Sequence, residues 1–569
     1  MDEALLTVHS RVLYGICVLY QSDYCYKCVY QPLTNLGYDQ RNASVVISTR
    51  FSLTLRVQHK SNNQTLCSLT ELFEEAGHYS LWVTPSETPN KTDCSLTVDK
   101  QPHSTYLPLV VAALLLACLA LVEMVCLFFC TRLRCTSKLL NLVCCRTTHS
   151  DSDEVNHRSQ TLSRSGGAAT PESSRLRSLD TFRGFALTVM VFVNYGGGGY
   201  WFFQHAPWNG LTVADLVMPW FVFIMGTSIV LAFSSMRRRG VNRIQLLRKL
   251  TWRTVVLMLI GFCFMNYSPR DGLLSWSWLR IPGVLQRLAF TYFILSLMQT
   301  LSPHRDIPLR ERPCWSPVQD LVLYWPQWVL VLVLETLWLC VTFLLPVPNC
   351  PTGYLGAGGI GDNGLYPNCT GGAAAWVDRW LLGDRIYWYP TFKVLYRTTQ
   401  PFDPEGVLGT INSIVMGFIG MQAGKILLFY RKMNSSILIR FLVWAIILGI
   451  SAAILCKCTR EEGFIPVNKN LWSLSYVMCM GCLSFVLLAG MFFVVDVKDW
   501  WTGKPFIYPG MNSIFVYVGH SLLGYYFPFS WEQRVQSSHW EMLFQCLWAT
   551  ALWILISYLL YRKKFFLKI

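Results

Sequence analysis

Short runs of alternating apolar and polar side chains fill residues 1–105, among them Arg50-Phe-Ser-Leu-Thr-Leu-Arg-Val and Tyr79-Ser-Leu-Trp-Val, separated by Gly, Pro and Asn. A period of two places one face of each run against a core, and this pattern predicts a small β-sandwich. The pattern then changes. Residues 106–130, apolar except for Glu123, are long enough to cross a hydrocarbon layer about 30 Å thick. Residues 131–178 turn to Ser, Thr, Gly and charge without hydrophobic periodicity, which predicts a flexible linker. Ten more apolar stretches follow between 179 and 569, near 182–195, 213–233, 250–266, 283–301, 322–346, 407–430, 437–456, 471–495, 506–527 and 541–561. The predicted architecture is an all-α membrane bundle of about eleven transmembrane helices behind a small N-terminal β-sandwich-like domain.

The connecting segments orient this arrangement, because cytoplasmic loops collect Lys and Arg. Arg237, Arg238, Arg239, Arg243, Arg248 and Lys249 fall in one alternate loop, Arg305, Arg310 and Arg312 in the next, then Arg431 and Lys432, and finally Arg562, Lys563 and Lys564. The segment 196–212 has no Lys or Arg. This predicts a lumenal N-terminal domain, a cytoplasmic linker, a long lumenal loop at 347–405 and a cytoplasmic C-terminus. Composition agrees: 53% of residues are hydrophobic and 14% charged, too little polar surface for a water-soluble globule. The formal charge of +15 sits in short clusters between spans, which argues for membrane topology and against nucleic acid.

Cys17, Cys25, Cys28, Cys67 and Cys94 precede the first span, beside sequons at Asn42, Asn63 and Asn90. The loop 347–405 adds Cys350, Cys369 and a sequon at Asn368. Both clusters fit oxidising, glycosylating space, with Cys25, Cys28, Cys67, Cys94, Cys350 and Cys369 as disulfide candidates and the connectivity open. The opening MDEALLTVHS lacks the features of a signal peptide. A translocated domain needs one, so the expectation is an internal or processed start.

Ionisable groups within spans are costly and mark function. The densest polar stretch runs from Asn194 through four glycines to His205, Asn209 and Asp215. Four consecutive glycines permit close backbone approach and could offer N–H donors, but no Gly-Lys-Ser/Thr follows, which excludes a nucleotide P-loop. His205 is the side chain best suited to move a proton near neutral pH, with Asp215 to orient it. The competing reading is a turn anchored at the interface by its His and Trp side chains. Asp180 and Arg183 are three apart, a spacing that also suits a helix-end ion pair. Arg287 lies within a span and is harder to explain structurally. Asn468, Lys469, Asn470 and Trp472 open the ninth span, and Asn512, Ser513, Tyr517 and His520 lie on the tenth, where bridging between helices is the favoured role. Cys456/Cys458 and Cys479/Cys482 lack zinc-site spacing, and no metal site is assigned.

The segment Leu176-Arg-Ser-Leu-Asp-Thr-Phe-Arg-Gly184 resembles the Leu-Asp-x-x-Arg-Gly motif of membrane acyltransferases. Asn194-Tyr-Gly-Gly-Gly, Trp208-Asn-Gly-Leu-Thr-Val-Ala-Asp215, Arg280-Ile-Pro-Gly-Val-Leu-Gln-Arg287, Pro351-Thr-Gly-Tyr-Leu-Gly and Phe464-Ile-Pro-Val-Asn-Lys-Asn-Leu-Trp-Ser-Leu-Ser resemble the heparan-α-glucosaminide N-acetyltransferase family, and together they cover nearly the whole chain. The resemblance implies a lysosomal membrane enzyme that passes acetyl from cytosolic acetyl-CoA to the terminal glucosamine of heparan sulfate. It places the catalytic His at His205 and the nearby polar Asn at Asn194. A depressed pKa of His205, through burial beside Trp and Phe, is expected in an acidic lumen. His205 then acts either as general base in a ternary complex, with Asn194 and Gly-run N–H groups on the oxyanion, or as an acetyl carrier. Charge matching nominates Arg183, Lys249, Arg253, Arg280 and Arg287 for coenzyme A, and Asn209, Lys469 and Asn470 for the acceptor. The bilayer is a further partner, with a homodimer as candidate assembly. The rival readings are a polytopic small-solute transporter and an adhesion receptor on a membrane scaffold.

Overall fold

The computed structural model describes residues 1–38, 40–86, 92–144, 176–265, 279–302, 318–431, 433–534 and 538–567. Two compact units result: Met1–His103 with Arg177–Ile569, and Ser104–Leu176. In the first unit, strands β1 (Glu3–Ser10), β4 (Asn42–Ser48), β7 (His78–Pro85) and β8 (Thr92–Lys100) form a sheet of order β4-β1-β7-β8. Strands β2 (Ile16–Ser22), β3 (Gln31–Leu36), β5 (Leu53–His59) and β6 (Thr65–Glu71) form a second, of order β3-β2-β5-β6. Among the described residues, only β1 and β7 pair in parallel, from Leu5 opposite His78 to Ser10 opposite Val83. The period of two works as expected: Leu6 and Val8 of β1, Val18 of β2, Leu55 and Val57 of β5, and Leu81 and Val83 of β7 are fully buried in one core. Each such side chain contributes about 1.5–3 kcal/mol of burial. The Cys67–Cys94 bond ties β6 to β8 and so joins the two sheets, while Cys25–Cys28 closes the turn after β2.

The second unit carries α1 (Leu107–Cys144), whose first twenty residues are apolar. The helix continues past the boundary expected at 130, since no Gly or Pro interrupts it before Cys144. Residues 145–175, most of the expected linker, lie outside the described residues.

The bundle follows in the first unit: α2 (Arg177–Asn194), α3 (Val213–Arg238), α4 (Arg243–Ile260), α5 (Val284–Leu301), α6 (Gln319–Val322), α7 (Trp325–Leu344), α8 (Gly372–Leu382), α9 (Lys393–Tyr396), α10 (Val407–Phe429), α11 (Asn434–Cys456), α12 (Leu474–Met491), α13 (Ile507–Met511), α14 (Ser513–Leu523) and α15 (His539–Arg562). Every predicted apolar stretch falls on helix. Among the described residues, eight helices are long and apolar enough to cross a membrane. The remaining three stretches differ for physical reasons: α2 carries Arg177, Asp180 and Arg183, α4 carries Arg243, Arg248, Lys249 and Arg253, and the tenth stretch breaks at Asn512 into α13 and α14.

Glycines set the closest crossings. A Cβ on Gly226 of α3 would lie 1.9 Å from the Gly417 carbonyl oxygen, and one on Gly420 of α10 would lie 2.0 Å from that of Phe223. Backbone meets backbone there, and the Thr227 hydroxyl donates to the Gly420 carbonyl at 2.9 Å. A Cβ on Gly184 would likewise collide with the Phe506 carbonyl at 1.7 Å, which pins α2 against the chain entering α13.

Candidate active site

The chain leaves α2 at Asn194 and reverses through Gly196–Gly199, all four at positive φ, where L side chains are strained. The run packs against α15: Gly198 N–H donates to Cys546 Sγ at 3.4 Å, and His539 Nδ1 donates to the Gly198 carbonyl at 2.9 Å. None of the four glycines lines the cavity described below. The run therefore serves as a turn, and the expected cradle of Gly N–H donors is not formed.

Two short helical turns later, His205 precedes the N-terminus of α3. Its Nδ1 lies 2.7 Å from Asp215 Oδ1. Asp215 Oδ2 accepts hydrogen bonds from the Ala206 N–H at 3.1 Å, the Thr212 N–H at 3.2 Å and the Thr212 hydroxyl at 2.9 Å. A carboxylate saturated on one oxygen presents the other as a fixed acceptor, so Nδ1 donates to it, and in the neutral imidazole the lone pair falls on Nε2. Tyr476 donates its hydroxyl to the Asp215 carbonyl at 2.5 Å and locks this turn to α12. Lys469 Nζ sits 3.3 Å from both ring nitrogens. The Asp215 side chain is fully buried, whereas that of His205 is 48% exposed. The expected burial of His205 beside Trp and Phe is thus corrected: the loop shields its aspartate and leaves the imidazole open.

His205 opens onto a cavity of about 470 Å³. At this end it meets Asn194, Lys469, Glu405 and Trp472; its walls are apolar, with Met190, Val217, Phe221, Ile229 and Leu288 among them; its far end reaches Met236, Arg183, Ser228 and Arg253. Ala214 and Met236, both lining it, are about 33 Å apart along α3 at about 1.5 Å per residue. One cavity therefore follows almost the whole length of a candidate membrane span.

Asn194 Nδ2 lies 2.9 Å from His520 Nε2, and His520 Nδ1 donates to the Val516 carbonyl at 3.1 Å. That arrangement makes His520 an acceptor and holds the Asn194 amide at the cavity wall with a second N–H to spare. Asn512 bridges to the Phe565 carbonyl and the Leu567 N–H, whereas Ser513 and Tyr517 line the cavity. Arg183 donates to Ser228 Oγ at 2.7 Å and pairs with Asp180 at 3.2 Å, so the helix-end ion pair and a place on the cavity coexist. Arg253 stacks over Tyr292 at 4.8 Å, and its buried Nε has no hydrogen-bond partner among the described residues. Lys249 is exposed on α4 and does not line this cavity.

Arg280 is bound to Asp403 and Glu405, at 2.5 and 2.6 Å. Burial opposes its charge, but these carboxylates raise its pKa above the ordinary arginine value. Burial likewise opposes ionisation of Glu405, yet Arg280, Lys469 and Arg287 hold its carboxyl below the usual range. Arg287 is buried, donates to the Pro404 and Gly406 carbonyls at 3.0 Å and lies 5.1 Å from the centre of the Trp472 ring. Asn209 donates to Glu461 at 2.6 Å and accepts from Asn468 at 3.0 Å, while Asn470 is buried. Glu405, Ser228 and Tyr292 are cavity residues that sequence reasoning did not single out; only the polar character of Glu405 just before a span hinted at it. Asn42, Asn63 and Asn368 are exposed, and Asn90 lies outside the described residues. Cys350 and Cys369 form the third disulfide, and Cys17 is free.

A family profile described as heparan-alpha-glucosaminide N-acetyltransferase, catalytic, matches residues 175–305. Across its whole length the chain is 47% identical to the heparan-alpha-glucosaminide N-acetyltransferase of Mus musculus, of which 89% is covered, and 48% identical to that of Homo sapiens, of which 88% is covered. The chain belongs to this family. It is an N-acetyltransferase, and hence an acyltransferase, for which acetyl-CoA is the co-substrate. The profile spans α2 to α5 and so contains Arg183, Asn194, His205, Asp215 and Arg253. Lys469 and Glu405 line the same cavity from outside that region.

Proposed function

We propose that this chain transfers acetyl from acetyl-CoA, entering from the cytosol, to the amine of the terminal non-reducing glucosamine of heparan sulfate in the lysosomal lumen, with His205 as general base. The observation that carries this reading is the single cavity joining the Arg183 and Arg253 end to the His205 end along α3. Arginine at the far end suits phosphate, the apolar walls suit a pantetheine arm, and the thioester that acetyl-CoA supplies would then meet the acceptor at His205. The ammonium of the acceptor releases one proton to solvent and its neutral amine attacks the thioester carbonyl. His205 Nε2 takes the second nitrogen proton and returns it to the departing sulfur, so that protons balance. The spare Asn194 N–H faces the developing oxyanion. Asp215 fixes the imidazole tautomer, and Lys469, with Asn209 and Asn470 behind it, receives acceptor hydroxyls. Of the nominated cations, Arg183 and Arg253 line this cavity and in this reading hold coenzyme A, while Arg280 and Arg287 bind the 403–406 turn and act as supports. The same reading makes the membrane lysosomal, the N-terminal domain lumenal and glycosylated, and the C-terminus cytoplasmic. Purified protein given acetyl-CoA and a glucosaminide should form the N-acetyl product, and His205→Ala should abolish it. Unchanged turnover in that variant would remove His205 from the mechanism.

A further inference from the structure

Three acid–base pairs surround the 204–210 loop, and all three are turned the same way. Arg50 of the sandwich pairs with Asp2 at 2.9 Å, with the arginine side chain 43% exposed and the aspartate 11%. Arg460 pairs with Glu461 at 2.9 Å, at 33% and 10%. His205 and Asp215 repeat the arrangement, at 48% and 0%. In each pair the carboxylate is the inner member and the nitrogen base the outer one. Field lines at the surface therefore begin on donors, although each pair with a permanent cation is neutral as a whole.

These cations are held near the base. Arg50 Nη1 lies 3.5 Å from the Gln204 side-chain oxygen, next to His205 in the chain. Arg460 packs its Cδ against Gly210, where an added Cβ would be 3.4 Å away, and lies 4.0 Å from the centre of the Tyr24 ring. Its Nη2 donates to the Tyr24 carbonyl at 3.1 Å, and its Nε donates to Glu461 at 2.9 Å. Tyr24 stacks on Phe51 at 4.1 Å, and both meet Trp201 edge-on, at 5.8 and 5.5 Å. This aromatic contact docks the sandwich onto the loop that carries His205. Burial raises the Tyr24 pKa; Arg460 opposes this, and the charges of Glu461 and Asp215 add to it, as their proximity requires.

From this geometry we infer that the sandwich is part of the acceptor site: Arg50 and Arg460 form a cationic rim that binds the anionic sugar next to the terminal glucosamine, through its carboxylate or sulfate. The inference rests on the acetyl-transfer reading above and deepens it. Guanidinium groups suit oxyanions through paired N–H donors. A single charge-assisted contact of this kind is worth roughly tenfold in affinity.

The test uses the full chain in detergent with acetyl-CoA and two acceptors, an uncharged α-glucosaminide monosaccharide and a heparan-derived oligosaccharide ending in unsubstituted glucosamine. For Arg460→Gln and Arg50→Gln, the ratio of oligosaccharide KM to monosaccharide KM should rise roughly tenfold, and Arg460→Lys should recover part of it. In the unmodified chain, added salt should raise the oligosaccharide KM and not the monosaccharide KM. An unchanged ratio in folded variants, or equal salt effects on both acceptors, would overturn the rim. An unmodified chain that acetylates neither acceptor would instead refute the acetyl-transfer reading on which the rim depends.

Discussion

Asp215→Asn isolates the tautomer argument. The wild-type carboxylate accepts three hydrogen bonds on Oδ2 and one from His205 Nδ1 on Oδ1. An amide in its place has one acceptor and one donor end. Turning its NH2 toward Ala206 and Thr212 leaves buried donors facing each other, at about 1–3 kcal/mol for each unsatisfied group. The amide should therefore keep its oxygen there and aim NH2 at His205 Nδ1. Nδ1 then becomes the acceptor, the ring proton moves to Nε2, and the base facing the cavity is lost. General-base catalysis supplies about 10²- to 10⁴-fold, or about 3–5 kcal/mol of barrier at about 1.4 kcal/mol per tenfold. Steady-state acetylation of a glucosaminide should show kcat reduced by that factor, with KM for either substrate changed by less than about threefold. Thermal unfolding would establish that the variant folds. A folded Asp215→Asn enzyme retaining more than about a tenth of wild-type kcat would refute the proposed division of labour between Asp215 and His205.

Three further predictions concern the scaffold. Burial, with the Asp403 charge adding, pushes the Asp378 pKa up to about 7, against the Val407 N–H, Arg287 and Arg379. Between about pH 4 and 7 the unfolded chain loses this proton while the folded chain keeps it. Stability should fall with rising pH by at most about 4 kcal/mol and then level off; thermal unfolding at several pH values should show Asp378→Asn flattening that slope. Cys67→Ser opens a loop closed across 27 residues, which should cost about 3.5 kcal/mol by loop entropy and be seen as earlier proteolysis within 1–103. Gly226→Leu forces a side chain into the Gly417 carbonyl and should cost at least about 1–3 kcal/mol, read as a lowered Tm and lost activity together.

Periodicity alone was enough to place the sandwich core and the helices, because alternation of two and long apolar runs are local properties. Span number was less legible: α2 and α4 carry charges that serve cavity and surface, and Asn512 breaks a stretch that looked continuous. At the site, His205 and Asp215 stood out because both lie in one polar loop. Lys469 joins them from a point 264 residues away in the chain, a proximity that the bundle creates. Arg280 and Arg287 looked available to a ligand because their carboxylate and carbonyl partners, at 403–406, are distant in sequence. The exposure of His205 is illegible in sequence for a related reason: its aromatic neighbours along the chain point elsewhere, Trp208 to the Leu355 carbonyl at 2.9 Å and Trp201 to the sandwich.

In the proposed reaction, acetyl passes through the bundle from the Arg253 end to the His205 end. Proteoliposomes with the His205 face inward, a glucosaminide trapped inside and radiolabelled acetyl-CoA only outside, test it directly. Labelled N-acetylglucosaminide should accumulate inside the vesicles, and none should form with His205→Ala. Product that forms only when acetyl-CoA and the acceptor share a compartment would contradict it.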